Sequence, residues 1–331
     1  MAYIAVIGAG SWGTTLASLL TDKGYDVVLW THEEELAVEI NRRHINSIYL
    51  PDFSLPRTLR ATLSSEEITS ARYVINSVPT QFIRPIFTRI SPHIDEQAVI
   101  VSVSKGIEVK TLLSPSMILK EIIARPVCVL SGPSFAKEVA AKKPTAVTLA
   151  SDDNKTALLL QEVLNTDFFR VYTHDDITGV EIGGAMKNVI AIAAGICEGM
   201  GFGHDSRAAL ITRGLTEMAR LGLKMNAKEI TFTGLSGLGD LVLTCTDLQS
   251  RNFSLGHSIG KGLKLADILS RTKSVAEGVA TSISARELAL RYKIEMPITE
   301  QVFQVLYNDR APLEAVKDLM NRSLKSEFYG Y

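Results

Sequence analysis

An α/β half with a largely parallel sheet, joined to an all-helical half, is the fold class the sequence predicts. Three observations predict it. Short β-branched runs alternate with helical patterns as far as residue 172. Glycines crowd the junction after the first of these runs. From Asp175 onward the alternation stops and one helical pattern follows another. Strands joined by helical crossovers pair in parallel with helices on both faces. The chain has 331 residues. At roughly 150 residues per domain that suggests two domains. The change of pattern puts them at 1–178 and 179–331.

Residues 3–7 read as the first strand, and Gly8-Ala-Gly-Ser-Trp-Gly13 follows at once. A helical pattern runs over 14–22, stops at Gly24, and gives way to a strand at 26–30. This is the strand, GxGxxG, helix, strand order of a Rossmann-type dinucleotide unit. Gly8 permits the tight turn, Gly10 lets a pyrophosphate approach the backbone, and Gly13 lets helix pack on strand. The helix start supplies free N–H groups and partial positive charge for phosphates. An NAD-preferring site usually carries Asp or Glu at the end of the second strand. Here Thr31 and His32 stand there, with Glu33 to Glu35 opening a helix. A 2′-phosphate meets less repulsion in such a place, so NADP or dual use is expected, with His32 against the adenosine side.

Further strands are expected at 73–78, 99–104, 127–131, 146–150 and 168–172. Ligands of such sheets bind outside the carboxyl ends of strands. Lys105, Gly132 and Ser134 lie just past strand ends. Lys105 fits a solvated turn as well as a ligand contact. Ser134 could equally be the N-cap of a helix over 135–141.

Composition narrows the function classes. With 35 basic and 36 acidic residues the formal net charge is −1. No global field attracts nucleic acid or an anionic membrane, so a small-molecule ligand held by a few placed cations is expected. Cys128, Cys197 and Cys245 are far apart and show no metal-ligand spacing, which argues against a disulfide scaffold or a zinc site. The first strand begins without a basic leader, so a cytoplasmic protein is expected. No membrane span is expected either. The oligomeric state stays open, a homodimer included.

The helical half opens with a rule-breaking stretch, residues 180–195. Gly183 and Gly184 sit inside a helical pattern, where each costs roughly 1 kcal/mol relative to Ala. Lys187 and Asn188 interrupt an otherwise small, apolar run. Either Lys187 snorkels to water, or the helix is built for close approach to another domain and to ligands. A desolvated Lys can have its pKa brought toward neutrality and act in proton transfer. Asp240, after a loop with three glycines, is the candidate carboxylate to orient it. None of the six histidines stands in a comparable setting, although His204 after Gly203 is a rival. Ser250-Arg251-Asn252 precedes another helix. A planar Arg fork and a helix start suit phosphate, while a surface Arg beside an N-capping Asn fits the spacing equally.

Six motifs occur in order: Gly8-Ala-Gly-Ser-Trp-Gly13, Val103-Ser-Lys-Gly-Ile-Glu108, Ser131-Gly-Pro-Ser-Phe-Ala-Lys-Glu138, Gly184-Ala-Met-Lys-Asn-Val189, Gly237-Leu-Gly-Asp-Leu241 and Ser250-Arg-Asn252. Together they resemble the bacterial glycerol-3-phosphate dehydrogenases that use NAD(P)H, over essentially the whole chain. The resemblance implies reversible reduction of dihydroxyacetone phosphate to sn-glycerol 3-phosphate, a phospholipid precursor. It implies that Lys187 is the catalytic lysine and that Lys105 is shared between cofactor and substrate. Gly132, Ser134, Asp240, Ser250, Arg251 and Asn252 match substrate positions. Ser11, Trp12, His32, Ala136 and Arg251 match cofactor contacts. Val275 and Glu277, in Ser274-Val-Ala-Glu277, match a late segment on the nicotinamide side. Spacing alone makes Glu277 a solvated helix carboxylate. Two rivals share the plan: hydroxyacid dehydrogenases and ketopantoate reductases with an active Lys, and a nucleotide sensor without catalysis. The Ser250 cluster favours a phosphorylated substrate over the first, and Lys187 with Asp240 argues against the second.

Overall fold

The computed structural model describes residues 3–271 and 275–327. Ser274 therefore lies outside the described residues. In chain order the first unit comprises β1 (Tyr3–Ile7), α1 (Ser11–Asp22), β2 (Asp26–Trp30), α2 (Glu34–Arg43), β3 (Ile45–Asn46), β4 (Leu50–Ser54), β5 (Arg60–Thr62), β6 (Tyr73–Asn76), α3 (Thr80–Ile90), β7 (Val99–Ser102), α4 (Pro115–Ile123), β8 (Val127–Ser131), α5 (Ala136–Ala140), β9 (Thr145–Ala150), α6 (Asn154–Leu164) and β10 (Phe169–His174). The helical unit follows with α7 (Ile177–Gly199), α8 (His204–Lys224), α9 (Asp240–Thr244), α10 (Arg251–Gly260), α11 (Leu265–Ser270), α12 (Glu277–Tyr292), α13 (Pro297–Tyr307) and α14 (Pro312–Met320).

The strands form an eight-stranded sheet in the order β10-β9-β8-β7-β6-β1-β2-β5. Every neighbouring pair is parallel except β8 with β9. The run of β1 is continuously apolar because this central strand is buried on both faces, with Ile4 to Ile7 fully buried. The chain leaves β1 for β2 on one side and reaches β6 on the other, so the strand order reverses at β1. That is where an open α/β sheet opens a ligand crevice, and the Gly8–Gly13 turn stands there.

β6 and β7 end two residues before their expected ends. Side chains replace the ladder at that point. Asn76 Oδ1 accepts from Val78 N at 3.1 Å, and Ser104 Oγ donates to Val78 O at 2.6 Å. β3, β4 and β5 are not anticipated by the pattern. Each is short or carries Pro51 or exposed polar residues, with no apolar alternation to mark it. The sheet edge at β10 is covered from within, since Gln161 Nε2 donates to Val171 O and Val171 N donates to Asn165 Oδ1.

One stretch does not follow chain order. Compactness divides the chain so that Lys105–Ser114 joins the helical unit and Pro115–Ile177 returns to the sheet unit. The apolar core of the helical unit contains Ile107, with Leu112 packed on it. At the centre of that unit runs α7, apolar and long enough to cross a membrane, yet 94% of its most apolar window is buried inside the protein. A Cβ on Gly195 would fall 2.1 Å from Phe253 O, and one on Gly256 would fall 2.1 Å from Ile192 O. Gly199 and Gly260 repeat the arrangement one turn on, against His257 O and Ile196 O. Glycines four apart on both α7 and α10 thus let the two backbones touch.

Candidate active site

The glycine turn of the sheet unit is built as its spacing requires. Gly8 has φ of 107°, in the region where side chains are strained, and a Cβ there would lie 3.0 Å from Ser77 O. A Cβ on Gly13 would strike Gly8 O at 1.9 Å. A Cβ on Gly10 would meet no chain atom within 4 Å, so the space above it is open to a ligand. Gly10 is the N-cap of α1 without a side-chain cap, which leaves N–H groups of the first turn for an anion. These features fit the pyrophosphate of a dinucleotide.

Around this turn, Ser11 Oγ donates to Tyr49 O at 2.7 Å, and Trp12 packs on Phe169 with ring centroids 6.2 Å apart. Thr15 Oγ1 donates to Ala136 O at 3.2 Å, tying α5 to the dinucleotide helix. His32 is exposed beyond β2. Glu33 is the N-cap of α2, and its carboxylate accepts from the Tyr49 hydroxyl at 3.1 Å. At the end of β8, Gly132 has φ of 138° with Val147 Cα 3.0 Å from the place of a Cβ. Ser134 is not a helix cap. Its hydroxyl donates to Gly132 O at 3.0 Å, and α5 begins one residue further on, behind Phe135.

The helical unit gathers the other chemistry around Asp240, which is 1% exposed. A π-helical turn, Leu235–Gly239, delivers it to the start of α9. Gly183 is what admits that turn: a Cβ there would lie 2.5 Å from Ser236 O. The close approach expected of Gly183 is therefore made to the helical unit's own loop. Lys187 Nζ donates to Asp240 Oδ1 at 2.6 Å and to Thr244 Oγ1 at 2.9 Å. Lys105 Nζ donates to the other carboxylate oxygen, Oδ2, at 2.7 Å. One buried carboxylate thus serves two ammonium groups. Snorkelling does not describe Lys187, whose side chain is 9% exposed.

Burial pulls the pKa of Lys187 down to about 8; Asp240 opposes the fall and Lys105 adds to it. Burial alone would raise the Asp240 carboxyl, but Lys105 and Lys187 together hold it below its ordinary value. Cys245, fully buried beside them, has its thiol pushed well up by desolvation and stays protonated. Lys187 is thus an amine near neutrality with two of its donors committed.

A second network adjoins this one. Asn188 Nδ2 donates to Lys105 O at 3.1 Å and to Gly184 O at 3.3 Å. Asn252 Nδ2 donates to Asn188 Oδ1 at 2.9 Å, and Gly278 N donates to Asn252 Oδ1 at 2.9 Å. Asn188 and Asn252 therefore stitch α7, α10 and α12 together. The N-cap of α10 is Ser250, whose Oγ accepts from Phe253 N at 3.2 Å. Asn252 lies inside the helix and does not cap it. Arg251 is exposed at this helix start, close enough to Glu277 for the two charges to interact. Val275 is half-buried just ahead of Glu277. Thr244 escaped the sequence reading, although it stands one helical turn after Asp240 and so on the same face. Among the described residues, no group of three or more His, Cys, Asp or Glu side chains could hold a metal.

Known proteins resemble the chain over its whole length. Residues 3–157 match the N-terminal part, and 176–317 the C-terminal part, of the family described as NAD-dependent glycerol-3-phosphate dehydrogenase. The chain is 51% identical over 329 residues to an NAD(P)+ glycerol-3-phosphate dehydrogenase of Geobacter sulfurreducens, covering 98% of each chain. It is 52% identical over 329 residues to the enzyme of the same name from Citrifermentans bemidjiense, again with 98% of each covered. The crystal structure of glycerol-3-phosphate dehydrogenase from Coxiella burnetii superposes with a TM-score of 0.94 at 41% identity, over 97% of this chain and 99% of that one. An intact glycine turn, a buried Lys–Asp–Lys cluster and full-length likeness converge, and the chain belongs to the NAD-dependent glycerol-3-phosphate dehydrogenase family.

Proposed function

We propose that the chain interconverts dihydroxyacetone phosphate and sn-glycerol 3-phosphate with NADPH or NADH, and that Lys187 moves the proton. The observation that carries the proton role is Lys187 itself: buried, tuned to about 8 and fixed by Asp240 and Thr244. When bound at the glycine turn, the nicotinamide dinucleotide supplies or accepts the hydride. Protonated Lys187 has three N–H donors. Two are held by Asp240 and Thr244, and the third is available to the carbonyl oxygen that becomes the alcohol. Running backward, neutral Lys187 takes the alcohol proton. A pKa near the working pH suits both directions.

The phosphate of the substrate is assigned to Arg251 and the start of α10, where a planar fork and backbone N–H groups coincide. Lys105 supplies a second cation, and Gly132 and Ser134 line the substrate side of β8. Asn252 acts mainly by positioning, since Gly278 and Asn188 already engage its amide. Val275, Glu277, Ala136, Ser11, Trp12 and His32 complete the cofactor set. The product is a phosphorylated three-carbon alcohol suited to glycerophospholipid synthesis.

Purified protein should consume NADPH or NADH only when dihydroxyacetone phosphate is added. Equal turnover with unphosphorylated dihydroxyacetone would remove the phosphate assignment. Lys187→Ala should lower turnover by about 10²–10⁴-fold, the usual worth of a general acid, while cofactor fluorescence titrations stay unchanged. Near-normal turnover would take Lys187 out of the chemistry.

A further inference from the structure

The strap Lys105–Ser114 carries Lys105, and its hold on the helical unit is unusual. It is folded on itself: Glu108 N donates to Leu113 O and Leu112 N donates to Glu108 O, each at 2.9 Å, and Thr111 Oγ1 donates to the Glu108 carboxylate. Two of its ties run to α7, the helix of Lys187. They are Asn188 Nδ2 to Lys105 O and Ser114 Oγ to the Glu181 carboxylate. A third comes from α12, where Ser284 Oγ donates to Ile107 O at 3.0 Å. Ser284 is fully buried. A buried serine inside a helix commonly turns back to the carbonyl four residues earlier. Ser284 instead reaches a carbonyl 177 positions away in the chain, two residues from Lys105. It also stands seven residues after Glu277, two helical turns along the same face of α12.

We propose that Ser284 is a positioning residue that holds Lys105 against Asp240 by fixing the strap. The role presupposes Lys187 as the proton carrier, as proposed above. The titratable groups acting on Lys187 are Asp240 from α9, Cys245 just beyond it and Lys105 from the strap. If the strap loosens, Lys105 leaves Asp240. Lys187 then loses a neighbouring positive charge and has the carboxylate to itself. Both changes favour its charged form.

Ser284→Ala, made in the full chain, removes the donor with little change of volume. Turnover is measured against pH in both directions. The alkaline limb of ketone reduction and the acid limb of alcohol oxidation should both move up, by about half to one pH unit for a partly displaced charge. The Michaelis constant for dihydroxyacetone phosphate should rise with them. General damage to packing lowers both rates without moving either limb. In a Lys105→Met background, Ser284→Ala should shift nothing further, because the charge it positions is gone. If Ser284→Ala does not fold, Ser284→Cys keeps the volume with a weaker donor, and should give a smaller shift of the same sign. Unmoved limbs, or a shift that survives in Lys105→Met, overturn the proposal. Near-normal turnover of Lys187→Ala overturns the proton role instead, and the two failures are told apart by that variant.

Discussion

Asp240→Asn keeps the size of the side chain and removes the charge shared by Lys187 and Lys105. An opposite charge in contact is worth about 1–3 pKa units to its partner. Lys187, at about 8 with the carboxylate present, should therefore fall to roughly 6 in the variant. At pH 7.5 its protonated fraction then drops from about three quarters to about 3%, a loss of roughly 25-fold in reduction from ionisation alone. The assay is dihydroxyacetone phosphate reduction, followed by cofactor absorbance from pH 5.5 to 9. The alkaline limb should move down, and much of the lost rate should return near pH 5.5. Misplacement of the amine without a charge effect would depress the rate at every pH. Stability gives a second reading. Lys187 in the variant takes up its proton at lower pH when folded than when unfolded, so the unfolded chain binds more protons above about pH 6 and stability rises with pH there. An alkaline limb at or above its original position would refute the electrostatic reasoning, because nothing else in the cluster replaces the lost negative charge.

Gly10→Ala and Gly13→Ala should separate ligand space from folding. The first meets no chain atom within 4 Å and should keep its melting temperature while weakening cofactor binding; the second meets Gly8 O at 1.9 Å and should lose both. A normal cofactor affinity in Gly10→Ala would show that no pyrophosphate lies above it. Arg251→Ala should raise the Michaelis constant for dihydroxyacetone phosphate about 10–100-fold, the worth of a charge-assisted phosphate contact of about 1.5–3 kcal/mol. An unchanged constant would count against the phosphate role. Glu217 concerns stability: its buried carboxylate accepts from Ile298 N, Thr299 N and Thr299 Oγ1 at the start of α13. Burial pushes its pKa up to about 7. A raised pKa contributes stability below about pH 4.5 that is lost as pH rises through 7, about 3 kcal/mol in all. The urea midpoint of the parent relative to Glu217→Gln should accordingly fall between pH 4.5 and 7.5, and a constant difference would reject the shift.

The glycine turn, the parallel sheet and the helical half were legible because their signals are local. Gly8, Gly10 and Gly13 sit within one turn and one helix start, and a strand reports its burial in five residues. Lys187 was conspicuous for the same reason, a cation inside an apolar helix. Its partnership with Lys105 was not legible, because 82 residues separate them in the chain (187 less 105) and only the fold puts both on Asp240. The strap misled the reading of chain order. Residues 105–114 follow β7 directly, and what assigns them to the helical unit is Ile107 in a core assembled mostly from residues far along the chain. Ser134 shows a limit of capping rules: the residue type and offset suited a cap, but the chain needed one more residue to reach helical dihedrals. The glycine spacings of α7 and α10 were present in the sequence. Nothing local says that two such helices face one another.

The cost of those glycines follows from what they hold in place. Gly183 and Gly195, inside α7, each sacrifice roughly 1 kcal/mol of helix propensity, and their gain is contact between backbone and backbone. A side-chain contact can relax by a rotamer change, whereas a carbonyl against a bare Cα leaves little room. On α7 the contact at Gly195 lies about 12 Å along the helix from Lys187, at 1.5 Å per residue. On α10 the contact at Gly256 lies five residues from Arg251. The amine proposed to move the proton and the guanidinium proposed to hold the phosphate are thus mounted on two rods pressed together at their backbones. A displacement of about 1 Å in such a site can cost 10²-fold in rate. Close helix contact therefore accounts for the small-residue character of α7, and the buried Asp240 carboxylate accounts for how a lysine survives in it. The two rule-breaking features of residues 180–195 are joined through one loop: Gly183 admits the turn that carries Asp240, and Asp240 in turn holds Lys187.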